Sequence, residues 1–354
     1  MGFFNNLPLE LVEGIVAAFC VECTAGEEQE CCYSSNCYHA DDEAATAARV
    51  SSLASLCLTS RHLNSVATRH LYHRPSYKKW WLLARTLLAR RDLAQLAKGM
   101  RFTEYRCVPK ADCPPEVLAY FNEQKEAYLD QVPETKREDR RSRLKEDDLY
   151  TGNSNIELDV VASLCPNLTS LHAVVGYFHS FRFCTPQSMM HLHTVVISHA
   201  DTELGLHLEN ARPLFQAAPN IASITYYMMA SSSGLGFALD KVTTLDLQYS
   251  TIDGESLVNV LKAFPNLETL RYGMGGAIVS YEQFTVGDAK DAFLRHAPNL
   301  KSVVLDTLNN DNYDEDWDMD EMQELGRMLK ERGVGVEFRP YEWGNQNGTA
   351  GFAL

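Results

Sequence analysis

The chain has 354 residues, of which 45% are hydrophobic and 22% charged, and its formal net charge is −15. This composition predicts a globular protein with a sizeable core, and no apolar run approaches the length of a membrane span. Ten scattered cysteines do not suit a chain-wide disulfide framework, so we expect a reducing compartment, cytoplasmic or nuclear. We therefore do not expect a membrane protein, a small secreted scaffold or a fibre.

Charge is distributed unevenly along the chain. Residues 50–145 carry a net charge of +9, whereas residues 146–354 carry −16. An acidic region of this length repels phosphate backbones, so nucleic acid is not an expected partner. The acidic surface would favour a basic protein target, and the alternative explanation for it is solubility alone.

The first 75 residues predict three short amphipathic helices. Pro8 suits the first turn of a helix. An apolar stripe with a spacing of four residues then follows, made of Leu7, Leu11, Ile15 and Phe19, and Val12 and Val16 widen it. A second run begins near Ser51, and Thr59 or Ser60 is placed to cap a third helix. Three helices of this size bury too little apolar surface to be stable alone, so we expect them to dock on a partner or on the following segment.

Both ends of this helical head resemble the F-box. Residues 7–11 read Leu-Pro-Leu-Glu-Leu, like the opening of that motif, and residues 53–63 resemble its second half. Residues 71–75, Leu-Tyr-His-Arg-Pro, resemble the exit segment of fungal F-box proteins. The resemblance implies docking to the Skp adaptor of a cullin–RING ubiquitin ligase. The contacts that it implies are Leu7, Pro8, Leu11, Ile15, Leu56, Leu58 and Leu63.

A Cys-rich acidic insertion, residues 20–49, separates the two halves of the motif and departs from the family pattern. Within it, Cys20 and Cys23 have the spacing of a zinc-ligand pair. Because the insertion holds no second pair of that spacing, we interpret it as a solvated acidic loop. No metal and no other cofactor is predicted.

An internal repeat runs through the rest of the chain. One phrase, Pro-Asn followed by two apolar residues three positions apart, occurs at Pro166, Pro219, Pro265 and Pro298. Two weaker copies lack Pro-Asn. The first apolar positions of the six copies are Leu168, Leu192, Ile221, Val242, Leu267 and Leu300. They are separated by 24, 29, 21, 25 and 33 residues, which brackets the period of leucine-rich repeats.

Each repeat predicts a helix, a turn and a short strand. Proline ends the helix and disfavours helical backbone in the residue before it, and asparagine suits the turn. We therefore expect an α/β fold: a short all-α F-box head over residues 1–75, then an irregular leucine-rich-repeat-like solenoid over residues 76–345 with a curved parallel sheet. The solenoid carries a charged insertion, residues 109–150, and a tail follows at 346–354. Residues 100–105 and 334–338 predict its terminal strands.

No catalytic motif is present, so no catalytic residue is assigned and the chain is not predicted to be an enzyme. The resemblance implies a non-catalytic substrate receptor of an SCF-type (Skp–cullin–F-box) ligase. Its target would bind the concave strands, at positions that the register suggests are Tyr226, Gln248, Arg271 and Asp306. The alternative is a leucine-rich-repeat interaction scaffold that is not coupled to ubiquitination. An exposed apolar patch on the head favours the receptor, whereas a head packed wholly onto the first repeat favours the scaffold.

Overall fold

The structure is a computed structural model that describes residues 7–24, 40–75, 79–102, 113–138, 141, 156–175, 181–199, 205–274, 283–308 and 319–341. Over these residues the chain forms twelve α-helices and ten β-strands, and every strand pair with an assigned register is parallel. The predicted α/β class is confirmed. None of the helices in the described ranges is long and apolar enough to cross a membrane.

The elements follow one another along the chain in two stretches. The first stretch comprises α1 (Leu9–Ala17), α2 (Val21–Thr24), α3 (Ala40–Thr59), α4 (Arg61–His73), α5 (Trp80–Ala89), α6 (Arg91–Ala94), β1 (Gly99–Phe102), α7 (Pro115–Gln131), α8 (Ile156–Leu164), β2 (Ser170–Val175) and β3 (Thr194–His199). The second comprises β4 (Leu206–His207), α9 (Arg212–Ala217), β5 (Ser223–Tyr227), β6 (Met229–Ser231), β7 (Thr244–Ser250), α10 (Gly254–Ala263), β8 (Thr269–Met274), α11 (Val286–His296), β9 (Ser302–Leu308), α12 (Met319–Glu331) and β10 (Gly335–Tyr341).

The chain divides into two compact units. One consists of Met1–Val196 with Pro213–Ile221, and the other of Ile197–Arg212 with Ala222–Leu354. The boundary at residue 75 that the sequence suggests is not one of these divisions, so a separate head domain stays a prediction. In the first unit β1 pairs with β2. In the second, the strand order is β5-β7-β8-β9-β10, and β4 pairs with β6.

The head is a small helical bundle. Its buried core consists of Val12, Val16, Leu53, Leu63, Val66 and Ala67, which come from α1, α3 and α4. The predicted start of a new helix after α3 is confirmed. Ser60 caps α4, and its hydroxyl accepts a hydrogen bond from the Leu63 amide at 3.2 Å. The Asn64 side chain donates to the Cys57 carbonyl at 2.8 Å, which fastens the end of α3 to the start of α4.

Both insertions are helical over much of their described length, although the first was predicted to be an acidic loop. The described ends of residues 20–49 are helical, because they form α2 and the first half of α3, and residues 25–39 lie outside the described residues. Within 109–150, α7 begins with Pro115 in its first turn and buries Val117, Phe121 and Leu129. Apolar side chains four positions apart on this helix outweigh the surrounding charge and hold it against the protein.

The repeated phrase forms the same local structure each time. Phe264 and Ala297, which precede prolines, end α10 and α11 with nearly equal backbone angles, φ −126° with ψ 68° and φ −124° with ψ 64°. A strand begins two residues after each of the six aligned apolar positions, at Ser170, Thr194, Ser223, Thr244, Thr269 and Ser302. All six aligned residues are buried. The predicted helix stops and strand starts are therefore confirmed.

The four phrase asparagines share one hydrogen-bonding role. Each donates its side-chain amide to a backbone carbonyl in the preceding repeat: Asn167 to Gln95 at 2.9 Å, Asn220 to Met190 at 2.8 Å, Asn266 to Asp240 at 2.9 Å and Asn299 to Pro265 at 3.3 Å. Asn299 also donates to the Asn266 side-chain oxygen at 3.0 Å. Asparagine is therefore needed at this turn as a connector between successive repeats, and its tolerance of the turn is only part of the reason for its recurrence.

Replacing Asn266 with alanine should destabilise the chain by about 0.5–1.5 kcal/mol, because it removes the bond to the Asp240 carbonyl. The measurement is the free energy of unfolding in urea. Asp240→Ala is the matched control, since it leaves the accepting backbone carbonyl in place, and it should cost much less. Equal losses for the two variants would contradict the connecting role.

Candidate functional site

The first candidate site is the outer face of α1 in the head. Leu11 is 55% exposed and Ile15 is 42% exposed, and Pro8, just before the helix, is also exposed. Leu58, near the end of α3, is 89% exposed. Four of the seven predicted adaptor contacts thus present their side chains to solvent. Large apolar side chains exposed in this number on one small bundle typically mark a binding surface.

The other three predicted contacts belong to the interior of the head. Leu7 and Leu56 are partly buried against its core. Leu63 is 3% exposed, so its prediction as an adaptor contact is corrected: it follows the Ser60 cap and packs into the core. Its role is to hold the bundle together.

Two further apolar side chains of this segment, neither of them predicted as a contact, are also exposed. Leu9 and Phe19 are 48% and 37% exposed. The sequence suggested a single stripe widened by Val12 and Val16, but these two valines alone are buried on α1. Neighbouring helix residues point about 100° apart, so α1 has two apolar faces, one in the core and one in solvent. We refer to the exposed apolar side chains of the head, Leu9, Leu11, Ile15, Phe19 and Leu58, together as the apolar patch.

A second candidate site is a group of four side chains at one end of the head. Cys20 and Cys23 lie at the start of the insertion, and His70 and His73 lie in the last turn of α4. One potential ligand atom from each residue lies within 4.8 Å of all the others. Cys23 Sγ is 3.4 Å from Nδ1 of both histidines, and Cys20 Sγ is 3.6 Å from Nδ1 of His73. We call these residues the Cys/His cluster.

Local contacts position the cluster. The Cys20 thiol, 1% exposed, donates to the His70 carbonyl at 3.6 Å. Thr24 donates its hydroxyl to the Cys20 carbonyl at 2.9 Å and accepts a bond from Arg49 of α3 at 2.6 Å. Burial lowers the pKa of His70 and so favours its neutral imidazole. The charge of Glu13 opposes this effect by raising the pKa.

This cluster was not predicted, because its second ligand pair lies in α4 and not in the insertion. The signal was available in the spacing His70-x-x-His73, which places two imidazoles on one face of a helix. Forty-seven residues separate Cys23 from His70, so only tertiary structure shows that the two pairs meet.

The third candidate site is the polar face of the sheet in the second unit. Strand register aligns Asp246, Arg271 and Glu337 in one row with Thr225 and Val304, and it aligns Asp306 with Gly273 and Arg339. Arg271 and Asp306 form an ion pair at 3.1 Å, and Gln248 donates to Asp246 at 2.5 Å. The predicted target contacts Gln248, Arg271 and Asp306 therefore lie on one face, which we call the charged strand face. Asp306 itself is buried, at 6% exposed, so its role there is to hold Arg271 by the ion pair.

Tyr226 does not lie on this face, and its prediction as a target contact is corrected. It is fully buried, in register with Leu247, and its hydroxyl donates to the His207 carbonyl at 3.0 Å. Its burial also raises its pKa. Side chains alternate along a strand, so an error of one residue in the register moves a side chain from the surface to the core. Thr225 and Tyr227 are the neighbours whose side chains share the orientation of Gln248.

A cavity of about 300 Å³ in the second unit is lined by His207, Glu209, Ser231, Ser232, Ser233, Asp253, Glu255 and Ser256. Two of its carboxylates already serve local structure. Glu209 accepts from the Ser233 hydroxyl at 2.7 Å, and Asp253 caps α10 by accepting from the Ser256 amide at 2.6 Å. The cavity is therefore mainly a product of turn structure.

No family model matches the chain, and no curated protein matches it. The functional interpretation therefore depends on the sites themselves.

Arg271→Met should destabilise the chain by about 1–3 kcal/mol, because the Asp306 side chain, only 8% exposed, loses its cation. Adding Asp306→Asn should recover part of that loss. The control is Arg295→Met, which breaks an ion pair with both side chains more than half exposed and should cost under about 1 kcal/mol. Urea unfolding measures all three, and an equal cost for Arg271→Met and Arg295→Met would show that the strand-face pair has no special role.

Proposed function

We propose that the chain is a non-catalytic substrate receptor of an SCF-type ubiquitin ligase. Its head would bind the Skp adaptor and its repeats a target protein. The observation that carries the proposal is the apolar patch, which stands on a folded bundle and coincides with sequence that resembles both halves of the F-box.

The patch supplies the kind of surface that an adaptor would cover. Leu11 and Ile15 are four residues apart on α1, so they form one ridge that a partner's groove accommodates. Burial of apolar surface contributes about 25 cal/mol per Å², and a few central side chains usually dominate such an interface. The neighbouring valines fix the helix to the core, so the ridge is rigid before binding and little conformational entropy is lost.

The exposure of the apolar patch also distinguishes the receptor from the alternative, a scaffold that is not coupled to ubiquitination. A head without an adaptor would have no use for the apolar patch, and a helix that only capped the first repeat would bury it. Four residues on or beside α1 remain more than a third exposed instead. The exposure therefore favours the receptor over the scaffold.

The repeats supply the part that would bind the target. The Pro-Asn turns and asparagine bonds support stacking of repeats into a solenoid with a parallel sheet. On the charged strand face of the second unit, carboxylates and arginines alternate, which suits a polar target with charges of both signs. The protein would act by proximity, holding the target near a transferase that another subunit supplies.

The test is direct binding of the purified full-length chain to a recombinant Skp adaptor. The variant Leu11→Asp with Ile15→Asp should weaken binding by at least about 100-fold, because each change places a carboxylate in the interface. Met190→Asp is the matched control, since Met190 is 42% exposed but lies outside the head, and it should bind like the wild type.

Thermal unfolding should give similar midpoints for the wild type and both variants, because all of the substituted residues are exposed. The proposal is wrong if the folded wild-type chain does not bind the adaptor, or if the double aspartate variant binds as well as the wild type. The scaffold alternative would then be preferred.

A further inference from the structure

The Cys/His cluster combines two ligand pairs that are far apart in sequence. Cys20 and Cys23 are separated by two residues, and so are His70 and His73. The second pair lies in the last turn of a thirteen-residue helix, which limits the movement of its imidazoles. The first pair spans the start of α2. Each pair can therefore occupy two corners of one coordination sphere.

The observed distances match a tetrahedral site. With Zn–S bonds of about 2.3 Å and Zn–N bonds of about 2.0–2.1 Å, a sulfur and a nitrogen on one tetrahedron are about 3.5 Å apart. Three of the four sulfur–nitrogen pairs, Cys23 with each histidine and Cys20 with His73, are 3.4, 3.4 and 3.6 Å apart. An ion could thus be bound with little change in the positions of the side chains.

The ligand chemistry selects the metal. Two thiolates and two imidazoles suit zinc, whereas calcium and magnesium require oxygen ligands. Two thiolates also balance the charge of a divalent ion, so the partly buried site carries no net charge. Four protein ligands leave no open position for water or substrate, which is the pattern of structural zinc sites.

We propose that Cys20, Cys23, His70 and His73 bind one structural zinc ion, which holds the end of α1 against the end of α4. The ion would replace the short connection between the two halves of the motif, which this chain lacks because of its insertion. Cross-links that close long segments of chain contribute most by restricting the unfolded state. This proposal goes beyond the adaptor function and does not depend on it.

The proposal is tested by metal content and cobalt substitution of the full-length chain, purified with reductant. The wild type should contain one zinc ion per chain. After removal of zinc, Co²⁺ should give the visible absorption of a tetrahedral site together with thiolate charge-transfer bands. Cys23→Ser and His73→Gln should lower metal affinity by more than the roughly 10- to 100-fold that loss of an outer-shell partner costs.

Two further variants separate metal binding from folding. His73→Cys keeps four ligands, so it should retain the metal and strengthen the charge-transfer bands, which a role in packing alone does not predict. A variant with Cys31→Ser, Cys32→Ser, Cys37→Ser and His39→Gln removes the remaining cysteines and the histidine of the insertion. It should bind zinc like the wild type, because Cys20, Cys23, His70 and His73 supply all four ligands of the proposed site.

Three results would overturn the proposal. They are a folded wild-type chain that contains no zinc and does not bind Co²⁺, equal metal content in the wild type and Cys23→Ser, and loss of metal only in the variant changed at 31, 32, 37 and 39. All three measurements are made without the Skp adaptor. A failure of adaptor binding therefore does not affect the test of zinc binding.

Discussion

Val12 and Val16 hold α1 against α4, and this contact determines which side chains of the head reach solvent. Both valines belong to one buried core with Leu63 and Val66 of α4, and α1 contacts α4 directly. Because neighbouring positions on a helix point in different directions, burying the valines turns Leu11 and Ile15 outward. Core packing alone thus exposes the side chains of the proposed adaptor site. The proposed zinc ion would act on the same pair of helices, from the end of α1.

A second constraint, the Pro-Asn turn, organises the rest of the chain. Proline ends the helix before each Pro-Asn turn, and the asparagine, three residues before the strand begins, connects its own repeat to the one before. Only the short Pro-Asn turn needs particular residues. The segments between turns can therefore vary in length, as the unequal spacing of the repeats shows. Because side chains alternate along each strand, the charged side chains lie on one face of the sheet and buried apolar side chains lie on the opposite face.

Sequence reasoning succeeded where one short segment determines the structure and failed where distant segments meet. The Ser60 cap, the helix stops before proline and the strand starts depend on a few adjacent residues, and all were predicted. Tyr226 was assigned to the wrong face because strand register is set by pairing with β7. Leu63 was taken for a contact because a motif does not show which face is buried. His70 and His73 were missed because their partners precede them by about fifty residues.

The most direct test of the central claim is hydrogen–deuterium exchange of the full-length chain, alone and with saturating Skp adaptor. Adaptor binding through the apolar patch predicts slower exchange in the peptides that cover α1, Leu9–Ala17, and the end of α3, with little change in β5–β10. Slower exchange confined to the strands, with α1 unchanged, would contradict the claim. It would show that any association with the adaptor uses the repeats and that the head has another role.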